Sequence, residues 1–314
     1  MRFIKMSIQS ITSGTVFKHG SFLSNMRYPD TAGIDRIRKK FRLYCWCVLS
    51  PKVTDELISC FDDPLLKNLI TVHPSFIEKP LKPYGCLSWD KNLRTQMLKK
   101  HLQFMLNNFS SNLLNIYQHK GYKLWQIKDK NDNIYNIYLD AGYSREGSIG
   151  ITLTDHNDTQ LYCISFTVNQ EQSLLHIGAL QGPDNNIENR QALIKQLTKG
   201  LYGLRPKALM VELVLIFADC YQLKNITAVS NKGHIYQALR YIGSKRTAVS
   251  CDYDELWQDY NAIKQNKELY QLPLSPKRKD LTTLNRNKRK LYKHRYQWLD
   301  ELKPSLQLAL QSSK

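Results

Sequence analysis

The chain lacks any apolar segment long enough to cross a lipid bilayer. A membrane-spanning helix needs about 20 consecutive apolar residues. The most hydrophobic run, ALMVELVLIFA at residues 208–218, is about half that length and contains the acid Glu212. The first residues, MRFIKMSIQSITSG, have a basic start but no apolar stretch of the length that a secretory signal needs. We therefore expect a soluble, cytoplasmic protein without a transmembrane segment.

Paired cysteines and the common catalytic motifs are also missing. The seven cysteines are scattered, and the close pair formed by Cys45 and Cys47 has no second pair to complete a zinc site. No second histidine stands at metal-ligand spacing from His176. The chain contains no G-x-S-x-G elbow, Walker A loop or H-E-x-x-H motif. These absences predict free thiols and no metal site, and they point to no common enzyme class.

Acidic residues are few relative to basic ones. The chain holds 45 Lys and Arg against 27 Asp and Glu, which gives a formal net charge of +18. Such an excess favours polyanionic partners, among them RNA, DNA, an anionic membrane face or a phosphorylated ligand. Residues 277–295 alone carry nine basic residues and one acid, a net charge of +8. Because Leu284, Leu291 and Trp298 repeat every seven residues, we expect this basic segment to be a helix with an apolar seam.

The pattern along the chain predicts an α+β fold in three parts. Residues 1–120 are expected to be mainly helical, including a helix that Asp90 caps and that carries apolar residues at helical spacing from Leu93 to Met105. In residues 121–262, short extended segments are separated by polar turns. This pattern predicts an antiparallel meander followed by α/β structure. Residues 263–314 form the basic C-terminal helical segment.

Two strands joined through helices interrupt the meander. The segments at 174–179 and 226–229 are extended and apolar, and between them we expect helices at 186–201, closed by Gly203, and at 207–221. Strands connected in this way are normally parallel neighbours with a right-handed crossover. Because the second helix is apolar on nearly every side, it must be buried. We therefore predict that Ile177 and Ile226 lie on neighbouring parallel strands beneath it.

This order of elements resembles the acyl-CoA N-acyltransferase (GNAT-like) architecture. The resemblance implies a mixed sheet in which two parallel strands part, with acyl-CoA bound in the gap and its pyrophosphate held at the helix N-terminus. Here that terminus is GLYGLRPK, where Arg205 and Lys207 add positive charge. The family's Q/R-x-x-G-x-G/A loop is absent, and Pro206 removes one backbone N–H. The resemblance therefore concerns topology more than activity.

Several residues around this crossover are candidates for catalysis or cofactor binding. Glu212 is a general base with a raised pKa, a structural partner of Arg205 or Lys199, or a side chain that faces solvent through a gap. His176 either faces a cleft or is a hydrogen-bonded histidine within the sheet. The second strand is followed by Asn231, His234 and Tyr236. The end of such a strand is where α/β sheets commonly bind ligands. Tyr236 can protonate a leaving thiolate, and Asn231 can contact the cofactor. Alternatively, Asn231 caps an amphipathic helix and the segment carries no chemistry.

The basic tail offers a second, non-catalytic function. Lys288, Arg289 and Lys293 can contact the phosphates of RNA or an anionic surface, while Tyr292 offers a ring for base stacking. The alternative is a helix packed on the domain with solvated basic side chains. No RRM, KH or helix-turn-helix signature accompanies the segment.

A closer resemblance covers nearly the whole chain. It rests on motifs at residues 82–101 (KPYGCLSWDKNLRTQMLKKH), 177–183 (IGALQGP), 198–210 (TKGLYGLRPKALM), 226–236 (ITAVSNKGHIY) and 288–302 (KRKLYKHRYQWLDEL). In this order they resemble the VirK/YbjX family of enteric bacteria. The resemblance implies a virulence-associated accessory protein needed for post-transcriptional expression of a surface factor, and in relatives envelope remodelling. It implies no catalytic residue.

Overall fold

We describe the protein from a computed structural model, which covers residues 13–29, 33–183, 189–239 and 251–313. The described part begins with helices and continues into a sheet, which confirms the predicted α+β class and the helical N-terminal region. The N-terminal helices are α1 (Ser13–Arg27), α2 (Ile34–Val48), α3 (Pro51–Cys60), α4 (Pro64–Val72), α5 (Lys91–Phe109) and α6 (Leu113–Tyr117). The later helices are α7 (Arg190–Gly200), α8 (Pro206–Cys220), α9 (Tyr253–Asp259) and α10 (Arg286–Ser312).

The strands form one mixed sheet in the order β1-β2-β3-β4-β5-β6-β8-β7. They are β1 (Tyr122–Lys128), β2 (Ile134–Asp140), β3 (Ile149–Thr154), β4 (Gln160–Asn169), β5 (Leu174–Gln181), β6 (Asn225–Val229), β7 (Ile263–Lys264) and β8 (Leu269–Leu272). Strands β5 and β6 pair in parallel, with Leu175 opposite Ile226 and Ile177 opposite Ala228, whereas the other pairs are antiparallel. The predicted change from meander to parallel pair is confirmed.

Helix α8 is apolar on nearly every side because it lies between two layers. Its inner side packs against β3, β4 and β5, and its outer side is in contact with α10. Near the end of α8 the Tyr221 hydroxyl donates a hydrogen bond to the carbonyl oxygen of Leu310 in α10 (3.3 Å). Most of the buried apolar residues form one cluster from Leu23 in α1 to Leu310 in α10, and a smaller separate cluster contains Trp89 and Val229. The predicted division at residues 120 and 262 stays a prediction.

Two features of the C-terminal region differ from the sequence-based expectation. Strand β8 pairs with β6 and buries Tyr270 and Leu272 in the sheet, although its four residues are too few to show a clear period. The basic helix α10 exists, but its buried residues are Leu299, Leu302, Leu306 and Leu310. Leu284 precedes the helix and Leu291 is 37% exposed. The predicted seam is confirmed at Trp298, which packs against the core. It is wrong at Leu284 and Leu291, because α10 meets α8 mainly through its C-terminal half.

Helix α5 begins at the residue that the sequence predicts. The Asp90 carboxylate accepts a hydrogen bond from the backbone N–H of Leu93 (2.7 Å), which satisfies one of the unpaired donors of the first turn. We expect Asp90→Ala to lower the free energy of unfolding by about 1 kcal/mol, measured by urea denaturation. Asp90→Asn is the matched control, since Asn caps about equally well. Equal losses in both variants would show that the cap does not stabilise α5.

Candidate functional site

A cleft of about 780 Å³ lies along the outer side of α8, near its N-terminus. One wall is α8 itself, and the others are α9, the segment 274–279 and the middle of α10. Helix α8 leads through a short turn into the start of β6, so its N-terminus lies at the carboxyl end of the parallel strands. Four of the residues predicted from the sequence line this cleft: Arg205, Lys207, Glu212 and Tyr292.

The N-terminus of α8 presents backbone donors and two cations to the cleft. Pro206 is the first helical residue, and the first intrahelical hydrogen bond runs from Leu209 N to Arg205 O (3.1 Å). The N–H groups of Lys207 and Ala208 lie before that bond and have no acceptor within the helix. The side chain of the N-cap residue, Arg205, does not accept a hydrogen bond from them either. The Arg205 guanidinium is exposed and lies 3.6 Å from the Asp259 carboxylate. This arrangement is typical of an anion site at a helix terminus.

Glu212 is the carboxyl group of the cleft that is best suited to exchange a proton. Burial raises the pKa of Glu212 to about 7, although the positive charge of Arg278 opposes the shift. The suggested partner Arg205 pairs with Asp259 instead. Arg278 itself pairs with Asp300, its Nη1 lying 2.8 Å from Oδ2. A carboxyl group with this pKa is divided about equally between its acid and base forms at pH 7.

Tyrosine rings and cations alternate on the α10 side of the cleft. The Arg295 guanidinium lies 4.2 Å from the centre of the Tyr292 ring, and the Arg278 guanidinium lies 4.8 Å from that of Tyr296. Arg295 also donates a hydrogen bond to the carbonyl oxygen of Tyr202 (3.1 Å), which fixes it beside α8. The α10 side of the cleft therefore combines flat aromatic surface with positive charge, which suits the anionic part of a ligand with a ring or chain. Acidic residues also line the cleft: Glu212, Asp219, Asp252, Glu255, Asp259 and Asp300.

The second group of predicted residues lies away from the cleft, at the β5 and β6 strands. His176 is 1% exposed, its Nδ1 lies 3.0 Å from the Thr227 hydroxyl, and its ring centre is 4.4 Å from that of Trp89. Burial lowers the pKa of His176 to about 4. The imidazole is therefore neutral at pH 7 and enclosed by Trp89, as expected for a histidine within the sheet.

Asn231 connects the end of β6 to the beginning of α9. Its Oδ1 accepts a hydrogen bond from Tyr253 N (2.8 Å) and its amide nitrogen donates one to Asp252 (2.8 Å). Tyr236 lies in a short helical turn, with its ring centre 5.1 Å from that of His234. The structure brings Asn231 and Tyr236 near the carboxyl end of the parallel pair but not into the cleft with Arg205 and Glu212.

Buried polar groups fill the predicted gap between the ends of β5 and β6. Glu146 Oε1 lies 3.0 Å from His234 Nε2, and the two side chains are 0% and 1% exposed. The Gln181 amide donates hydrogen bonds to both Glu146 oxygens (2.9 and 2.8 Å), and the Tyr253 ring stacks 5.4 Å from His234. A Cβ atom at Gly178 would lie 1.6 Å from the carbonyl oxygen of Glu146, so only glycine fits there. Sequence reasoning included His234 but missed Glu146, which stands in a turn without a motif.

The basic residues of α10 are partly engaged in local structure. Lys288 and Lys293 are exposed. The Arg289 guanidinium donates hydrogen bonds to the carbonyl oxygens of Leu281 (2.9 Å) and Leu284 (3.1 Å), and Arg295 already covers the Tyr292 ring. RNA or anionic-surface binding by this segment stays a prediction. Within the described ranges, no group of three His, Cys, Asp or Glu side chains is arranged to hold a metal ion. None of the helices described here combines the length and apolarity required to cross a membrane.

The fold and the cleft define an α+β protein whose mixed sheet is covered by a buried crossover helix with an anion-suited N-terminus. The chain belongs to a family described as protein of unknown function (DUF535), whose pattern matches residues 32–308. It is 28% identical over 275 residues to the uncharacterized protein YbjX of Escherichia coli strain K12, covering 86% of this chain and 82% of that protein. This confirms the resemblance to the VirK/YbjX family.

Further relatives come from Haemophilus influenzae strain KW20. One uncharacterized protein is 33% identical over 162 residues, which is 52% of this chain and 53% of the relative, and another is 35% identical over 129 residues, or 41% of each. No solved structure matches the chain. The GNAT-like character of the central region therefore stays a prediction.

Proposed function

We propose that the cleft on α8 binds an anionic ligand of the acyl-CoA class and that the protein is an acyltransferase, with its site on the outer side of α8 rather than in the gap that the GNAT-like resemblance implies. The observation that supports this most is the position of Glu212, a carboxyl group with a pKa near 7 in a large cleft beside the helix N-terminus. A residue with this pKa, near a phosphate-suited helix end, is typical of a site that moves a proton during group transfer.

The residues of the cleft have distinct roles in this proposal. The first-turn N–H groups of α8, Arg205 and Lys207 bind phosphate oxygens, because charge and backbone donors converge there. Glu212 would accept the proton of the acceptor amine or hydroxyl as that nitrogen or oxygen bonds to the acyl carbon. The carbon–sulfur bond of the thioester would break, and the thiolate would leave. Tyr292 and Arg295 contact the body of the ligand. A bound acyl thioester would supply the activated acyl carbon. His176 and Tyr236 have no role in this site, because His176 lies within the sheet and Tyr236 in the turn after β6.

Charge reversal at Arg205 tests the binding step. We expect Arg205→Glu to weaken acetyl-CoA or long-chain acyl-CoA at least about tenfold in calorimetry, since one phosphate contact becomes repulsive. Lys67→Glu is the matched control, because Lys67 is exposed on α4 and its reversal changes the net charge equally. Glu212→Gln should leave binding unchanged and abolish the rise of transfer rate with pH through about 7. No heat with any acyl-CoA, or equal losses in both reversals, would reject the proposal.

The family resemblance suggests a wider role for this activity. The proposal places the protein in the cytoplasm as a virulence-associated accessory protein that acts after transcription on a surface factor, or in envelope remodelling. A non-catalytic alternative is a module that binds RNA or another polyanion through α10. It is supported by the exposed Lys288 and Lys293 and by the net charge of residues 277–295.

A further inference from the structure

Helix α2 exposes apolar side chains on the face turned away from the core. Its buried residues are Leu43 and Cys47. Ile34 is 86% exposed, Ile37 53% and Phe41 66%. These three positions follow the spacing i, i+3, i+7, so they lie on one side of the helix. Scattered apolar residues on a surface are normal, but a helical stripe of large apolar side chains marks an interaction surface.

The same helix is strongly basic. Its sequence, IDRIRKKFRLYCWCV, contains Arg36, Arg38, Lys39, Lys40 and Arg42 against the single acid Asp35, for a net charge of +4. Asp35 is already paired with Arg38 (2.9 Å) and Lys39 (2.5 Å). A helix with an exposed apolar stripe between basic side chains is typical of helices that lie flat on a bilayer surface.

Helix α2 is already folded and packed on the rest of the protein before any partner binds. It packs against α1, where Gly20 lets the two backbones approach closely, because a Cβ at Gly20 would lie 3.3 Å from Cys47 Cβ. The stripe is therefore presented on a folded scaffold, and docking requires no prior helix formation.

We propose that α2 docks the protein on an anionic phospholipid surface, with Ile34, Ile37 and Phe41 entering the headgroup region and the basic side chains contacting lipid phosphates. Charge complementarity selects this partner over a neutral one, because each Lys or Arg near an anionic bilayer adds to the attraction. This surface is separate from the cleft on α8 and from the basic segment of α10, so it does not depend on the proposed catalytic function.

Sedimentation of the full chain with vesicles tests the proposal. We expect binding to vesicles of phosphatidylcholine with about one third phosphatidylglycerol, little binding to phosphatidylcholine alone, and weaker binding at high salt. The double variant Ile37→Gln/Phe41→Gln should bind at least about tenfold more weakly, and Arg38→Gln about fivefold more weakly. The matched control is Ile263→Gln/Leu308→Gln, which removes apolar groups that are 67% and 63% exposed elsewhere.

Several outcomes would overturn the proposal. The first is a wild-type protein that does not sediment with anionic vesicles, and the second is an equal effect of both double variants. Loss of vesicle binding in Lys288→Ser/Arg289→Ser/Lys293→Ser, with the α2 variants unaffected, would assign the contact to α10. A wild-type dimer that becomes monomeric in the α2 double variant, without vesicle binding, would show that a second copy covers the stripe. Circular dichroism of each variant verifies that the fold is retained, as expected for exposed positions.

Discussion

Glu146→Ala is expected to lower the free energy of unfolding by about 2–4 kcal/mol, because two buried polar side chains lose the group they face. The Glu146 carboxylate and the His234 imidazole are 0% and 1% exposed, and their closest atoms are 3.0 Å apart. Removing the acid leaves the imidazole buried without its partner and leaves the Gln181 amide without two acceptors. An orphaned buried polar group loses its hydration without compensation, so the loss exceeds that of an ordinary hydrogen bond.

Glu171→Ala provides the matched control for this loss. Glu171 pairs with Lys100 on the surface, where its side chain is 67% exposed. Exposed pairs of this kind contribute about 0–1 kcal/mol because water and salt screen them. Urea denaturation of both variants at neutral pH should therefore separate them by at least about 1 kcal/mol. If Glu146→Ala unfolds at the same urea concentration as Glu171→Ala, the buried pair does not stabilise the junction of β5 and β6.

The central topology could be predicted because each of its elements carries a local signal. Strand β3 alternates strictly, with Ile149, Ile151 and Leu153 on the core face, and α5 has a capping Asp90 and apolar residues at helical spacing. The parallel pairing of β5 and β6 followed from the crossover between them. Strand β8 has only four residues, which is too short for a period to be recognised, so its addition to the sheet was missed.

The candidate site was predictable only where its residues share one element. Arg205, Lys207 and Glu212 stand at the beginning of α8, so their proximity follows from helix geometry alone. Arg278 and Tyr292 reach the same cleft because α10 and the segment before it pack on α8, a long-range contact without a sequence signal. The Glu146 and His234 pair is equally long-range. Chain topology, rather than residue spacing, places Glu146 over Gly178.

The protein should lose stability between pH 6.5 and pH 4.5 because His101 cannot accept a proton in the folded state. His101 is fully buried in α5, and Val168 N donates a hydrogen bond to its Nδ1 (3.3 Å). Its Nε2 lies 3.1 Å from the Tyr117 hydroxyl, which donates to the carbonyl oxygen of Ser148 (2.8 Å). Nδ1 is thus the acceptor, and the hydrogen is on Nε2. Burial is the main cause that lowers the pKa of His101, to about 3.

The sign of the pH effect follows from proton linkage. Below pH 6.5 the unfolded chain protonates this histidine, whereas the folded chain does not until about pH 3. The unfolded state therefore binds more protons, and stability falls as the pH falls, by up to about 1.4 kcal/mol per pH unit. His73 and His176, each with a pKa lowered to about 4 mainly by burial, act in the same direction. Glu212 and Asp140, whose pKa values burial raises to about 7 and about 6, act in the opposite direction.

His101→Gln isolates the contribution of one group from this background. A glutamine amide can accept from Val168 N and donate towards Tyr117 but cannot titrate. We expect wild type to be more stable at pH 7, and its advantage over His101→Gln to shrink by about 2–3 kcal/mol between pH 6.5 and pH 4.5. Urea denaturation at several pH values measures the difference, with the exposed His156→Gln as control. A wild-type advantage that stays constant with pH would show that His101 accepts its proton in the folded protein as readily as in the unfolded chain.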